Sequence, residues 1–242
     1  MKPCFYLMVA LSVAAGLTGV TKVTGHPVDL RRATNLEPSR EGKPYPQIMV
    51  PPGCDTNIAL NCKVTSSDPN PTRGKLSLIT DGDKESGDDT LVELASGTQW
   101  VQIDLGKECE IWGVNIWHLH GSFTRVVVFD VICQISSDPD FIDGVVTVFN
   151  NDHDNSSRQG IGKDKEYAET NEGRPIPVNG VKGRYVRFYS RGYTGVNYNN
   201  NSDNRKNYYM EIEIYGRVAQ DGASETQERI PVRVMLPKPG FM

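Results

Sequence analysis

The sequence predicts an all-β protein with the jelly-roll form of the β-sandwich, and three observations support this prediction. Short apolar runs, several of which alternate apolar with polar residues, recur through the central part of the chain. Clusters of Asp, Gly, Asn and Pro separate these runs, as turns separate strands. No long segment shows the 3.6-residue period of an amphipathic helix. Many short strands joined by polar turns are typical of sandwiches and jelly rolls.

Several runs are predicted to be strands. The first alternates strictly, with Val101, Ile103 and Leu105 on one face and Gln102 and Asp104 on the other. The runs at 184–189 and 209–215 alternate in the same way, so one face of each is expected to pack in the core. In chain order, the runs cover residues 100–105, 111–117, 125–135, 145–149, 184–189 and 209–215.

The chain divides into four parts. Residues 1–25 have Lys2 near their start, followed by an uncharged apolar stretch at residues 4–20, which predicts a signal peptide, with a membrane anchor as the alternative. Residues 26–52 are polar with several prolines and are interpreted as a linker. Residues 53–216 contain the predicted strands and form the β-sandwich domain. Residues 217–242 form a polar, Pro-rich tail, whose prolines exclude a central strand and leave an edge strand, a docking tail or a spacer.

The charge and the cysteines restrict the partners and the compartment. The formal net charge is -4 without a basic stripe, so nucleic acid is not expected as a partner. A signal peptide predicts a secreted or extracytoplasmic protein, in a periplasm or at a cell surface, where disulfides are permitted. Cys54 and Cys62 flank a short polar turn and are the best candidate pair. Cys109 and Cys133 lie in or beside apolar strands and are either a second bridge or two buried thiols.

Four motifs occur in an order that resembles a known family. They are Asp-Gly at 81–82, Trp-Val-Gln-Ile-Asp-Leu-Gly at 100–106, Gly-Arg-Tyr-Val-Arg at 183–187 and Glu-Ile-Glu-Ile-Tyr-Gly at 211–216. In this order they resemble discoidin domains, also called coagulation factor V/VIII C-type domains. These domains share the galactose-binding-like jelly roll and are similar to family 32 carbohydrate-binding modules. The resemblance covers roughly residues 53–216. It implies a module that binds glycans, phospholipid head groups or proteins, often in cell adhesion, and has no catalytic residues.

The resemblance also implies a structural calcium site on an acidic turn. Four aspartates fall between residues 81 and 89, and Ca²⁺ takes six to eight oxygen ligands. By resemblance, Asp81 and Glu211 are expected to be side-chain ligands, and Asp83, Asp89 and Thr90 are further candidates. The alternative is a solvated acidic turn without a metal.

Two regions are candidates for the ligand site. One follows the second predicted strand, where histidines and an arginine could bond sugar hydroxyls beside an aromatic ring. The other precedes the last strand and is rich in Tyr and Asn, which combine stacking with hydrogen bonding. The alternatives are that Trp100 and Trp117 belong to the core, that the histidines make local hydrogen bonds, and that the second region is a polar loop. The candidate ligand-binding residues are His118, His120, Arg125, Arg191, Tyr193 and Asn197.

An enzyme is the least favoured class. His153 lies between Asp152 and Asp154 and could be a general base, but no nucleophile or oxyanion donor is identified. Aspartates of this kind more often bond the backbone of their own loop. The sequence therefore predicts an exported, non-catalytic module that binds carbohydrate on a cell surface or extracellular polymer. The alternative is a protein-interaction or structural module of a cell-envelope assembly. A membrane-surface role is not favoured, since Phe123 alone offers an apolar loop residue.

Overall fold

The computed structural model describes residues 33–38, 43–120, 126–195, 206–220, 229–234 and 236. The predicted signal peptide lies outside these residues. No helix among them is long and apolar enough to cross a membrane. The elements are β1 Met49–Val50, β2 Lys63–Ser66, a 3₁₀-helix Leu76–Thr80, β3 Val92–Leu94, β4 Gln99–His118, β5 Val126–Val128, β6 Ile132–Ser136, β7 Val146–Asn150, β8 Arg174–Ser190, β9 Tyr193–Gly195, β10 Asn207–Val218 and β11 Ile230–Pro231.

Two long strands, β4 and β8, run through both layers of a jelly-roll β-sandwich, as the sequence predicts. The first half of β4 pairs with β2 and with the second half of β8, and this layer continues through β6 to β7. The second half of β4 pairs with β10 and with the first half of β8, and β10 pairs with β3. The predicted runs 100–105 and 111–117 are thus one strand, because the register shift between Asp104 and Cys109 lets β4 cross between the layers.

The core lies between these layers and confirms the predicted alternation. Val101 and Ile103 are fully buried in the same cluster as Ile212 and Ile214. The same period places Trp100 on the outer face, where it is half-buried and the Cζ of Arg187 lies 4.5 Å from its ring centroid. The prediction that Trp100 belongs to the core is therefore wrong, because Trp100 has the parity of the outward-facing Gln102.

The predicted run 125–135 is divided in the structure. Its first part is β5, which pairs with β9, and its second part is β6, which pairs with β7 and β8. Asp130 separates the two with φ 54°, a left-handed conformation that ends a strand and that Asp tolerates better than most residues.

The outer face of the β3–β10–β4–β8 layer is covered by residues from both ends of the described chain. β1 pairs with β11, and Ile48, Val50 and Val232 are buried in a cluster with Tyr215 of β10. The apolar part of the predicted linker and the start of the predicted tail thus pack on the sandwich. This cover buries side chains of β10 that alternation alone would place in water.

The four cysteines of the described chain are free thiols. Cys54 lies in the cluster under β1 and β11, whereas Cys62 packs against the main core. The disulfide predicted between them is not formed in this structure, because the two side chains belong to separate clusters. Cys133 is buried in the main core, and this burial raises the pKa of its thiol.

Candidate functional site

One end of the sandwich, here called the loop end, contains most of the predicted site residues. Ser190 ends β8 in one layer and Asn207 begins β10 in the other, and the Ser190 hydroxyl donates to Asn207 Oδ1 at 2.8 Å. β4 ends at this end with His118. The acidic turn that leads into β3, defined as residues 81–91, lies beside the same strand ends.

Side-chain oxygens of the acidic turn bond the backbone of the same turn. Asp81 Oδ1 accepts a hydrogen bond from the Asp83 amide, and Asp83 Oδ1 accepts one from the Glu85 amide, each at 2.9 Å. The Thr90 hydroxyl lies 2.5 Å from the Glu85 carbonyl oxygen and 3.2 Å from that of Gly87. The turn is therefore built largely from side-chain bonds to its own backbone.

Glu211 is the buried carboxylate of this region. Its Oε2 accepts a hydrogen bond from the Gly82 amide at 3.2 Å, whereas its Oε1 is buried without a partner among the described residues. Burial is the main cause that raises the pKa of Glu211, to about 9; the neighbouring Glu213 and Asp81 carboxylates act in the same direction, and the Gly82 bond opposes it. A buried oxygen without a partner is costly unless water or an ion satisfies it.

A buried lysine lies close to Glu211 but is paired with another acid. Lys84 Nζ lies 2.6 Å from Glu213 Oε1, with side chains 8% and 9% exposed. The Tyr215 hydroxyl donates to the other oxygen of Glu213. Glu213 is thus fully partnered, whereas Glu211 has only the Gly82 amide.

The acidic turn offers the kinds of donor that a hard divalent cation prefers, although no three carboxylates of the turn and Glu211 lie within 4.8 Å of one another. Its donors are oxygens only: the Glu211 and Asp81 carboxylates, the Thr90 hydroxyl and nearby carbonyls, which is the set that such cations prefer. The unpartnered Glu211 Oε1 provides a reason for an ion to bind here. The structure brings Asp81, Asp83 and Glu211 to one turn, and Asp89 is exposed on the same turn.

The two predicted histidines are buried. His118 is fully buried, and its Nδ1 lies 2.8 Å from Glu169 Oε1. His120 is 5% exposed and its Nε2 lies 3.1 Å from the Lys84 carbonyl oxygen. Burial lowers the pKa of His120, and the Lys84 bond opposes this shift. Both histidines are buried and bond partners that are distant in the chain, not the local partners of the alternative interpretation, so a direct sugar contact from either gains no support from this geometry.

A narrow crevice lies next to His118 and β9. Tyr193 and Tyr208 meet edge to face beside it, with ring centroids 5.3 Å apart. Asn207 in its wall donates to the Ala95 and Gly97 carbonyls and accepts from Ser190 and Gly192, so its amide is fully used. The crevice is too narrow to hold a water molecule, and it is lined by Leu119, Val126, Val128, Gly192, Tyr193, Lys206, Asn207 and Tyr208.

Of the four other predicted ligand residues, the structure describes two. Tyr193 lines the crevice, and Arg191 is exposed just before it in the chain. Arg125 and Asn197 lie outside the described residues. Sequence reasoning did not select Tyr208 or Leu119, although Tyr208 stands in the Tyr- and Asn-rich stretch that it singled out.

A second acidic group lies at the loop end. Ligand atoms of Asp130, Asp152 and Asp154 are all within 4.8 Å of one another, so this group could hold a metal ion. Burial raises the pKa of Asp130 to about 6 although the Ser156 hydroxyl donates to it. Asp152 also accepts from the Ser156 amide, as expected of an aspartate that holds its own loop. Sequence reasoning missed the group, because Asp130 lies on a separate segment.

His153 has no catalytic surroundings among the described residues. It is exposed, and its Nε2 lies 3.1 Å from the Thr34 hydroxyl oxygen. The flanking Asp152 accepts from the Ser157 backbone amide and hydroxyl instead of orienting the imidazole. The arrangement is that of a structured loop.

No protein-family profile and no curated protein matches the sequence. Solved structures with a similar fold include carbohydrate-binding modules. Chitosan-binding module 1 of a chitosanase/glucanase from Paenibacillus sp. IK-5 is 19% identical, with 66% of this chain and 99% of that chain covered and a TM-score of 0.44. A Streptococcus pneumoniae fucose binding module is 21% identical, with 66% and 97% covered and a TM-score of 0.45. The family 32 module of AlyQ, solved with an unsaturated mannuronic acid, is 18% identical, with 64% and 96% covered and a TM-score of 0.44. Identities this low describe a likeness of fold.

Proposed function

We propose that this protein is an exported, non-catalytic carbohydrate-binding module whose loop end carries a structural calcium ion. The observation that carries the proposal is the juxtaposition of a tyrosine-lined crevice and an oxygen-rich turn at one end of a rigid sandwich. Binding sites commonly lie on loops that a rigid scaffold positions.

The proposed glycan contacts centre on the crevice. Tyr208, which is half-buried, offers aromatic surface for the apolar face of a sugar ring, and Tyr193, which is 7% exposed, packs edge to face against it. Arg191 is exposed beside them and supplies a fixed donor fork. Arg125 and Asn197 remain proposed contacts on sequence grounds.

The proposed calcium ligands centre on Glu211 and Asp81. The unpartnered Glu211 oxygen supports this choice, and the Thr90 hydroxyl lies among carbonyls that can complete the site. Asp83 and Asp89 are further proposed ligands. The ion would supply positive charge that ties the turn to β10 and would take no part in any reaction.

An envelope-assembly role has less support. It required the Pro-rich tail to dock on a partner, but Ile230 and Pro231 pair with β1, and Val232 is 2% exposed. This part of the tail is therefore engaged by its own chain. The proposed location, secreted or at a cell surface, rests on the predicted signal peptide.

Affinity gels with embedded chitosan, alginate, pectin or galactan test the proposal. We expect at least one polysaccharide to retard the protein, and we expect Tyr208→Ala to weaken the retardation about tenfold, since stacking contacts contribute about 1–1.5 kcal/mol. The matched control is Tyr185→Ala, a half-buried tyrosine inside β8 that pairs with Asp104, away from the loop end. Equal retardation of both variants would remove the crevice as the site, and no retardation in any gel would remove the function.

A further inference from the structure

We infer that Cys62 and Cys109, which are free thiols in this structure, form a disulfide when the protein enters an oxidising compartment. This pairing goes beyond carbohydrate binding, and of the proposed function it uses only the export of the protein, because disulfides persist in oxidising compartments. It differs from the pair that spacing along the chain suggested, Cys54 with Cys62. The fold brings a different partner to Cys62.

The two cysteines lie on neighbouring strands, near the point where β4 crosses between the layers. β2 begins at Lys63, opposite Asp104 of β4, and Cys62 directly precedes Lys63. The register shift in β4 makes the five-residue step from Asp104 to Cys109 correspond to a two-residue step along β8. Measured from the level of Asp104, Cys109 is therefore about two positions along the sheet and Cys62 is one position along, in the adjacent strand.

This arrangement suits the geometry of a disulfide. Neighbouring strands lie about 4.8 Å apart and rise about 3.3 Å per residue, so an offset of one residue separates two Cα atoms by about 6 Å. Disulfides join Cα atoms that are about 4.4–6.8 Å apart. Cys54 belongs to the separate cluster under β1 and β11, and Cys133 lies on β6, which β8 separates from β4. Among the described cysteines, Cys109 is thus the partner that the sheet places beside Cys62.

Both side chains face the main core. Cys62 has the parity of Val64, which is buried in that core, and Cys62 itself packs against the same cluster. Cys109 is 3% exposed and belongs to this cluster. Burial is the main cause that raises the pKa of the Cys109 thiol, and the negative charge of Cys62 acts in the same direction. Charges influence each other in this way only at short range, which agrees with the register.

In the reduced protein, each thiol contacts a carbonyl of its own segment. Cys62 Sγ lies 3.3 Å from the Ile58 carbonyl oxygen, and Cys109 Sγ lies 3.4 Å from that of Lys107. Thiols are weak hydrogen-bond donors, so these two contacts oppose a covalent bond only slightly.

Cys62 is the thiol that an oxidant reaches first, because it is half-buried whereas Cys109 is buried. Its thiolate attacks one sulfur of a disulfide oxidant, either oxidised glutathione or the disulfide of an oxidoreductase, and one thiol leaves. The thiolate of Cys109 then attacks Cys62 Sγ in this mixed disulfide and displaces the second oxidant sulfur. The protein loses two electrons and two protons, and the oxidant gains both as two thiols.

Mapping of cross-linked peptides tests the pairing on the full chain. After equilibration in a buffer of oxidised and reduced glutathione, alkylation and digestion without reductant, mass spectrometry should find Cys62 joined to Cys109. Cys62→Ala and Cys109→Ala should each yield no disulfide within the chain. Cys54→Ala and Cys133→Ala are the matched controls, because they remove the other two described cysteines, and both should keep the link.

Melting temperature gives a second readout. Closing the loop from residue 62 to residue 109 should raise the melting temperature of the wild type by about 5–10 °C, and a dithiol reductant should abolish this rise. The melting temperature of Cys62→Ala should not respond to the reductant. If Cys109→Ala does not fold, Cys62→Ala at its half-buried position decides alone.

Two results would overturn the pairing while carbohydrate binding stands. One is an oxidised wild type without a peptide that joins Cys62 to Cys109, and the other is a peptide that joins Cys62 to Cys54 instead. A protein that carries the Cys62–Cys109 link but binds no polysaccharide would keep the pairing and overturn the proposed function alone.

Discussion

Glu211 and Glu213 lie two residues apart on the same face of β10, and both are buried, yet their surroundings differ. Glu213 has a lysine ammonium on one oxygen and a tyrosine hydroxyl on the other. Glu211 has one backbone amide and an oxygen without a described partner. A buried acid whose oxygens both have partners is typical of structural pairs, whereas a buried carboxyl oxygen without a partner has room for a further ligand or a proton. The comparison teaches that the contacts of the neighbouring turn satisfy one acid completely and leave the other with an open oxygen.

The largest expected effect comes from breaking the satisfied pair. Lys84→Met leaves Glu213 buried and uncompensated, and loss of one partner of a buried ion pair costs about 3–5 kcal/mol. Urea unfolding of both proteins measures the difference in the free energy of unfolding. The control is Lys107→Met, an exposed lysine at the far end, which should change stability by about 0.5 kcal/mol or less. Equal free energies of unfolding for the two variants would mean that the loss of Lys84 does not destabilise the buried Glu213.

The next effect tests whether Glu211 is the acid that binds an ion. Calcium at 100 times its dissociation constant should raise the free energy of unfolding of the wild type by about 2.7 kcal/mol. Glu211→Gln should remove this increase, because it replaces an ionic ligand by a neutral amide of similar shape. Asp143→Asn, an exposed acid at the far end, should keep it. Denaturant titrations with calcium and with EGTA measure each case, and a full calcium effect in Glu211→Gln would contradict the assignment.

The layers and most strand positions could be predicted from the sequence, because alternation in runs such as 100–105 reports directly which face is buried. The burial of Glu211 and Glu213 could not be predicted from the sequence. Alternation placed them opposite Ile212 and Ile214, on a face expected to meet water. That face is covered by the acidic turn and by residues of β1 and β11, whose sequences are too short and too rich in proline to predict packing.

The parts of the candidate site that belong to a sequence motif could be predicted. The parts that depend on contacts between distant segments of the chain could not. Asp81 and Glu211 followed from the resemblance and lie together in the structure. The burial of the two histidines could not be predicted, because their sequence context does not reveal their partners. Glu169 and the Lys84 carbonyl, which bond them, lie on segments far away along the chain. For the same reason, Asp130 was not grouped with Asp152 before the fold was known.

The smallest expected effect on stability concerns the hydrogen bond between His120 and the Lys84 carbonyl, which helps to hold Lys84 beside Glu213. His120 holds the Lys84 carbonyl, and burial lowers the pKa of His120 below its usual 6.5. The unfolded chain therefore binds a proton at His120 more readily than the folded protein does. Stability from this group is present above about pH 6.5 and is lost as pH falls through the lowered pKa, with a slope of at most about 1.4 kcal/mol per pH unit.

His120→Gln cannot titrate, so its free energy of unfolding should fall less than that of the wild type between pH 7 and pH 5. Urea unfolding at both pH values, in EGTA, measures this difference without any bound ion. His153→Gln is the control, because His153 is exposed and lies on another loop. If the wild type and His120→Gln lose the same stability on acidification, His120 does not hold the turn as a neutral donor. The position of Lys84 would then depend on Glu213 alone, and the two glutamates would differ only in which one the lysine reaches.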